Sequence, residues 1–417
     1  MAISTALIRG SAQLMFDCVS GITTAAESMH RTIAGSSTAW LNGISNFGPL
    51  KEIRSPTAYP VVRLASDMLN KGVTRSLAHI HNHSDLRSLD NSEIRWLAVL
   101  NGICGDHLEK RGSVLAIPME FTRPPDTPHL ESTEKPVASP HIVVMVHGLC
   151  LSEQCWQGDE NPGIAEQLKR ELGMAPVYLR YNTGRRISTN GKELSRLLDD
   201  LLAGWPVPAE SLSLVGYSMG GLVIRSACWY ADSEQSSWLK SLKRVLFLGA
   251  PHHGSPVEKA GHLVDMAMRS VKYVEPLSFG RKRSAGIKDL RHGNLLDDDW
   301  DRPGGEKPSL DTRRDVPLLP SVDYYFVAAS IGRHDRDPMG HIFGDLLVRV
   351  GSALGTRPNG PGDLKVKEEN CRVFQEKTHF DLVNDDRVVE QVIEWFRALN
   401  RFSHDRHTGA VTQSDTY

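Results

Sequence analysis

The chain has 417 residues, with 48 Lys and Arg against 50 Asp and Glu and a formal net charge of −2. That balance, with no long basic stripe, argues against a protein that works by neutralising nucleic-acid phosphates. A composition of 40% hydrophobic and 24% charged residues is that of an ordinary globular protein, long enough to bury a large core and to hold more than one structural unit.

The chain opens on MAISTALIRGSAQLMFDCVSGITTAAESMH, with no Lys or Arg ahead of its first apolar stretch and with Arg9 and Asp17 interrupting it. Neither a secretory leader nor a membrane span is expected there, which makes a cytoplasmic location the default. The polar face of this stretch is Ser and Thr rather than Lys and Arg, so any peripheral membrane contact would draw little from anionic lipid. Six cysteines (Cys18, Cys104, Cys150, Cys155, Cys228, Cys371) have neither CxxC nor framework spacing, a pattern of free thiols in a reducing compartment. Residues 1–112 read as a helical, loosely packed extension rich in Ser, Thr and Ala. Its clearest helix is SEIRWLAVLNGICGDHLEK, where Leu97, Leu100, Cys104 and Leu108 recur at helical spacing and Ser92 is placed to cap. FTRPPDTPHLESTEKPVASP, 121–140, reads as a linker.

After it the texture changes. Apolar runs HIVVMVH (141–147), VYLRY (177–181), LSLVG (212–216), RVLFLGA (244–250) and DYYFVAA (323–329) alternate with helix candidates. Those helices are GKELSRLLDDLLAGW, the run after Ser218, and RVVEQVIEWFRALN near the end. Unbroken β-branched and aromatic runs separated by helices predict a parallel sheet covered on both faces. Residues 113–400 are therefore expected to form an α/β, doubly wound, mostly parallel domain, with its ligand site at the carboxyl ends of the strands. Residues 255–321 show no clear strand and read as a cap or lid insertion, and 401–417 as a flexible tail. The basic cluster Arg281-Lys282-Arg283 within the insertion reads as a solvated loop.

G-x-S-x-G is a weak pattern by itself, but Gly216-Tyr217-Ser218-Met219-Gly220 sits where a strand becomes a helix, the setting of a nucleophile elbow. The strained turn points the serine out of the sheet, so its flanks must be small, which Gly216 and Gly220 satisfy. A serine hydroxyl needs a base, and the base an orienting acid. Of 17 histidines, His379 follows a short apolar stretch and precedes the last strong helix. His404 and His407 sit in the polar tail, His79, His81 and His83 precede the domain, and His334 and His341 come before the acid. Asp345, in HIFGDLLVRVGSA, is the acid candidate, with Asp335 and Asp337 as fallbacks. An oxyanion hole needs two donors: the Met219 N–H directly after the serine, and the Leu149 N–H after the strand that runs into His147-Gly148. His147 reads as a loop-fixing residue, and His252 and His253 as parts of the site wall.

VHGLC, GYSMGG, GAPHHGS, GDLLV and THFDL, in that order over about 141–383, resemble the α/β-hydrolase superfamily, in particular its bacterial lipase/esterase and GPI inositol-deacylase-like branch. The resemblance implies an α/β-hydrolase fold, triad positions at Ser218, Asp345 and His379, and oxyanion positions at Leu149 and Met219. One departure is Leu346, where family lipases commonly carry a smaller residue after the GD pair. A serine hydrolase acting on a small-molecule or lipid-like carboxylic ester follows, with no metal ligand spacing, no cofactor and no nucleic-acid partner expected. Two other readings stay open: an acyltransferase using the same acyl-enzyme, and an idle hydrolase-like scaffold used for binding.

Overall fold

The computed structural model describes residues 91–122, 139–157, 162–255, 283–300, 313–334, 337, 344–358, 360 and 362–408. Residues 1–90, most of the expected linker, 256–282 and 301–312 of the insertion, Asp335, His341 and the last nine residues lie outside them. In chain order the regular elements are α1 (Asn91–Lys110), β1 (Glu120–Thr122), β2 (His141–Val146), α2 (Ile164–Leu172), β3 (Ala175–Arg180), α3 (Ile187–Ala203) and β4 (Ser211–Tyr217). They continue with α4 (Met219–Glu234), β5 (Leu242–Leu248), α5 (Ala285–His292), β6 (Asp323–Ser330), the short α6 (Val350–Ala353), β7 (Cys371–Gln375) and α7 (Asp386–Thr408).

Seven strands form one sheet in the order β1-β3-β2-β4-β5-β6-β7. All neighbours pair in parallel except β1, which runs antiparallel to β3. From β2 the chain steps outward to β3 and then returns past β2 to β4, so the winding reverses at β2. The crevice outside the carboxyl ends of β2 and β4 is where an open α/β sheet binds its ligand.

The unbroken apolar runs have a simple cause: both faces of the sheet are covered. Along β2, Ile142, Val144 and Val146 join a core with α1, α3 and α4, while Val143 and Met145 join a second core with α2 and α7. The alternation of strand side chains sends successive residues to opposite faces, and each must then be apolar. All five strands expected from the sequence are present. β1 and β7 were not read as strands; β1 has three residues, and β7 buries only Phe374. The expected linker begins later than its composition suggests, because Phe121 and Thr122 extend β1.

Helix α1 is packed more tightly than its surroundings in the sequence suggest. Leu97, Leu100, Ile103 and Leu108 are buried in the same core as the sheet. Ser92 lies within the described helix. Asn101 is fully buried, and its Nδ2 donates to Leu97 O (2.9 Å) and Leu115 O (2.8 Å) while its Oδ1 accepts from Ile117 N (3.0 Å). It stitches the helix to the strand-like segment leading into β1. No described helix is long and apolar enough to cross a membrane. Replacing Asn101 with Ala strands two buried backbone groups, Leu115 O and Ile117 N–H, so Asn101→Ala is expected to lower unfolding stability by about 2–3 kcal/mol, read from the urea midpoint at unchanged m-value.

Candidate active site

The turn from β4 to α4 is forced by close approach of backbone to backbone. A Cβ on Gly216 would lie 2.7 Å from Gly221 Cα, and one on Gly220 would lie 2.2 Å from Val146 O. One on Gly221 would lie 2.5 Å from Ala250 Cβ. With no side chains in the way, Ser218 takes φ 53° and ψ −122°, a left-handed φ rare for a non-glycine residue. Its N–H donates to Leu248 O at 2.8 Å, and Gly221 N–H donates to Ser218 O at 3.1 Å, which locks the turn between β5 and the new helix. Met219 is the first residue of α4, so its N–H has no intrahelical acceptor and sits at the positive end of the helix dipole.

Asp345 and His379 meet at the carboxyl ends of β6 and β7. His379 Nδ1–H donates to Asp345 Oδ2 at 2.7 Å, and both side chains are 1% exposed. The other carboxylate oxygen accepts from Leu347 N (2.9 Å) and Val348 N (2.6 Å), and His379 N–H donates to Asp345 O at 3.2 Å. A carboxylate accepts only, so the shared proton sits on Nδ1, which in a neutral imidazole leaves the lone pair on Nε2. Nε2 is buried and has no hydrogen-bond partner among the described residues. The fallback acid Asp337 instead closes a turn after β6, accepting from Arg333 N.

Two neighbours that sequence reasoning left without a role hold this imidazole. Tyr217 O–H donates to His379 O at 3.1 Å, and its ring lies 5.1 Å from the imidazole. Gly249 has φ 59°, and a Cβ there would lie 2.9 Å from His379 Cε1. The signals were present: Tyr217 is the variable residue directly before the serine, and Gly249 ends an apolar run. Leu346 stands at φ 79° and is 47% exposed, so the residue after the acid adopts a backbone that glycine would favour. Phe380, beside His379, is 40% exposed.

The loop after β2 passes directly over the serine: a Cβ on Gly148 would lie 3.0 Å from Ser218 Cβ. Leu149 follows, buried. His147 is fully buried, with Nδ1 on Gly148 O (3.0 Å), its ring 4.5 Å from Tyr181, and the Tyr181 O–H donating to its carbonyl at 2.7 Å. Burial pulls its pKa down to about 4, outweighing the favourable Gly148 contact and the charge of Glu153. His252 is wedged edge-on between Phe247 (4.7 Å) and Phe326 (5.3 Å). Burial, with Arg225 and His253 nearby, holds it well below the usual histidine range. His253 Nε2 contacts Gly362 O at 3.1 Å. Among the described residues, no group of three or more His, Cys, Asp or Glu is placed to hold a metal ion.

A strained serine between β4 and α4, on a parallel sheet whose later strands deliver a buried Asp–His pair, decides the fold family. The domain has the doubly wound, mostly parallel fold of the α/β-hydrolases. Residues 137–286 match the family described as "Putative serine esterase (DUF676)", which supports a serine hydrolase acting on esters. No curated protein sequence matches the chain. Among solved structures, the mature form of Bacillus licheniformis lipase BlEst2 is similar at 19% identity, covering 63% of this chain and 91% of that one with a TM-score of 0.37. The Pyrococcus furiosus esterase Pf2001 is similar at 12% identity, covering 63% and 81%, with a TM-score of 0.36. RedJ, a thioesterase of the prodiginine pathway in Streptomyces coelicolor, is similar at 14% identity, covering 66% and 95%, with a TM-score of 0.35.

His147 must gain a proton on unfolding in mild acid. Its folded pKa is depressed, so its contribution to stability is complete above about pH 6.5 and is lost as the pH falls toward 4. Between pH 6.5 and 5 the wild type is expected to lose roughly 2 kcal/mol more unfolding free energy than His147→Phe, measured by urea titrations of both proteins at the two pH values.

Proposed function

We propose that this α/β-hydrolase cleaves carboxylic esters through Ser218, His379 and Asp345, with the Leu149 and Met219 N–H groups as its oxyanion hole. The observation that carries the reading is the buried Asp345–His379 pair, whose free Nε2 lies among residues that also frame the serine turn. Tyr217 contacts His379 and immediately precedes Ser218, and Gly249 supports the imidazole one residue beyond the carbonyl that holds Ser218 N–H.

Each group has one task. Ser218 Oγ attacks the acyl carbon as its proton passes to His379 Nε2. Asp345 keeps the Nδ1 proton in place and stabilises the imidazolium that forms. Its own geometry is set by the Leu347 and Val348 N–H groups, so it cannot rotate away. Negative charge then builds on the former carbonyl oxygen. The Met219 N–H, at the head of α4, and the Leu149 N–H, in the loop over the serine, are the donors for it. The imidazolium returns its proton to the departing alkoxide, and the acyl group stays on Ser218. Water repeats the sequence in reverse and releases the acid. Leu346 and Phe380 expose apolar surface beside the acid and the base, which suits an ester with an apolar acyl or alkyl part.

Hydrolysis of p-nitrophenyl esters from acetate to palmitate tests this directly. Ser218→Ala, His379→Ala and Asp345→Asn are each expected to lower kcat by about 10⁴-fold or more with the fold intact by circular dichroism. Ser218→Ala is also expected to abolish labelling by a fluorophosphonate probe. Esterase activity that survives Ser218→Ala overturns the reading.

A further inference from the structure

Helix α1 lies outside the residues matched by the esterase family, which begin at 137, yet it carries glycines, Gly102 and Gly105, on either side of a kink at Cys104 (φ −143°, ψ 22°), and a glycine within a helix costs about 1 kcal/mol relative to alanine. The structure gives both a reason. A Cβ on Gly102 would lie 2.2 Å from Cys150 Sγ, 3.0 Å from Cys150 Cα and 3.1 Å from Cys150 N. A Cβ on Gly105 would lie 1.8 Å from Asn182 Oδ1. From the other side, a Cβ on Gly184 would lie 2.1 Å from Asn101 O and 2.7 Å from Gly105 N. The bare face of α1 is thus pressed against the loops that follow β2 and β3.

Cys150 is the residue after Leu149, and it is held on every side. Its φ is 61°, a left-handed value that costs a non-glycine residue about 1–3 kcal/mol unless its surroundings over-determine it. Its N–H donates to Thr183 Oγ1 at 3.2 Å, and the next N–H, of Leu151, turns back to Gly148 O at 3.3 Å. Two further bonds tie the following turn to the start of α1. Gln154 Nε2 donates to Asn91 Oδ1 (2.9 Å), and Arg95 Nε donates to Gln154 Oε1 (3.0 Å). The helix itself is fixed from behind, where Ser284 Oγ donates to Gly102 O (2.7 Å) and Ala285 N donates to Asp106 Oδ2 (3.2 Å).

Leu149 therefore sits between Gly148, which touches Ser218, and Cys150, which touches Gly102. We infer that α1 is a positioning element of the active site, and that the Gly102–Cys150 contact sets the direction of the Leu149 N–H toward the acyl oxygen. The inference rests on the ester-hydrolase reading above. A donor displaced by a fraction of an ångström no longer reaches the oxyanion but still allows substrate to bind, so the effect falls on the transition state.

Gly102→Ala places a methyl group against Cys150 and is expected to lower kcat for p-nitrophenyl esters by about tenfold or more, with KM changed by less than about threefold. The rate of fluorophosphonate labelling is expected to fall in parallel. Adding Cys150→Gly removes Sγ, the atom the methyl meets first, and supplies the residue best suited to φ 61°, while Cys150 Cα and N stay 3.0 and 3.1 Å away, so the double variant is expected to regain most, though not all, of the lost rate. A folded Gly102→Ala with wild-type kcat overturns the inference. So does a loss that tracks a lowered Tm and is not rescued by Cys150→Gly, because that is a purely structural effect. Should Gly102→Ala fail to fold, the double variant decides alone: a kcat less than about tenfold below wild type supports the inference, and a folded enzyme slower than that overturns it. Activity that survives Ser218→Ala marks the separate failure of the serine reading, and the inference falls with it.

Discussion

The constraint on which everything else rests is the absence of space around the β4–α4 turn. Val146 O, Gly221 Cα and Ala250 Cβ all lie too close to admit a side chain on Gly220, Gly216 and Gly221 respectively. Three elements, β2, β4 and β5, converge on that point, so only glycine fits beside the start of the helix. The strain at Ser218 is supported by the surrounding sheet rather than by the turn itself, as its N–H bond to the end of β5 shows. An α-helix N-terminus, a raised hydroxyl and the loop after β2 are brought together as by-products of packing.

Three buried histidines near this turn have different surroundings and so different chemistry. His379 has a carboxylate on one nitrogen and nothing on the other among the described residues. His147 has a backbone carbonyl, a tyrosine face and a desolvated setting that keeps it neutral. His252 has only aromatic walls, with Arg225 near it, and both of its ring nitrogens lack partners among the described residues. Burial alone therefore does not tell these histidines apart; the carboxylate on Nδ1 of His379 does.

Much of this was legible in the chain itself. The five central strands announced themselves because a two-face-buried strand must be apolar at every position. The approach of Asp345 to His379 was expected from the order of the GDLLV and THFDL motifs that carry the family resemblance. β1 and β7 escaped because strands at the sheet edges bury too little to leave a pattern; Arg372 and Gln375 in β7 look like loop residues. Helix α1 was found, but its place in the core was not. The Leu97 and Leu100 spacing says that a face is buried and not against what, and the significance of Gly102 and Gly105 depends on loops 45 and more residues away. Leu346 was recognisable as a departure, while its left-handed backbone was not, because leucine carries no signal for that conformation.

The seat of α1 also dictates the order in which the molecule can be assembled. Gly102 O accepts its bond from Ser284, 182 residues further on, and the two intervening loop contacts come from beyond β2 and β3. At a synthesis rate of 5–20 residues per second, the interval between α1 and its last partner is about 10–35 s. For that time the helix has the loops after β2 and β3 to lie against but not the segment that holds it from behind. The first described helix to leave the ribosome is thus not fully seated until the chain has passed α5.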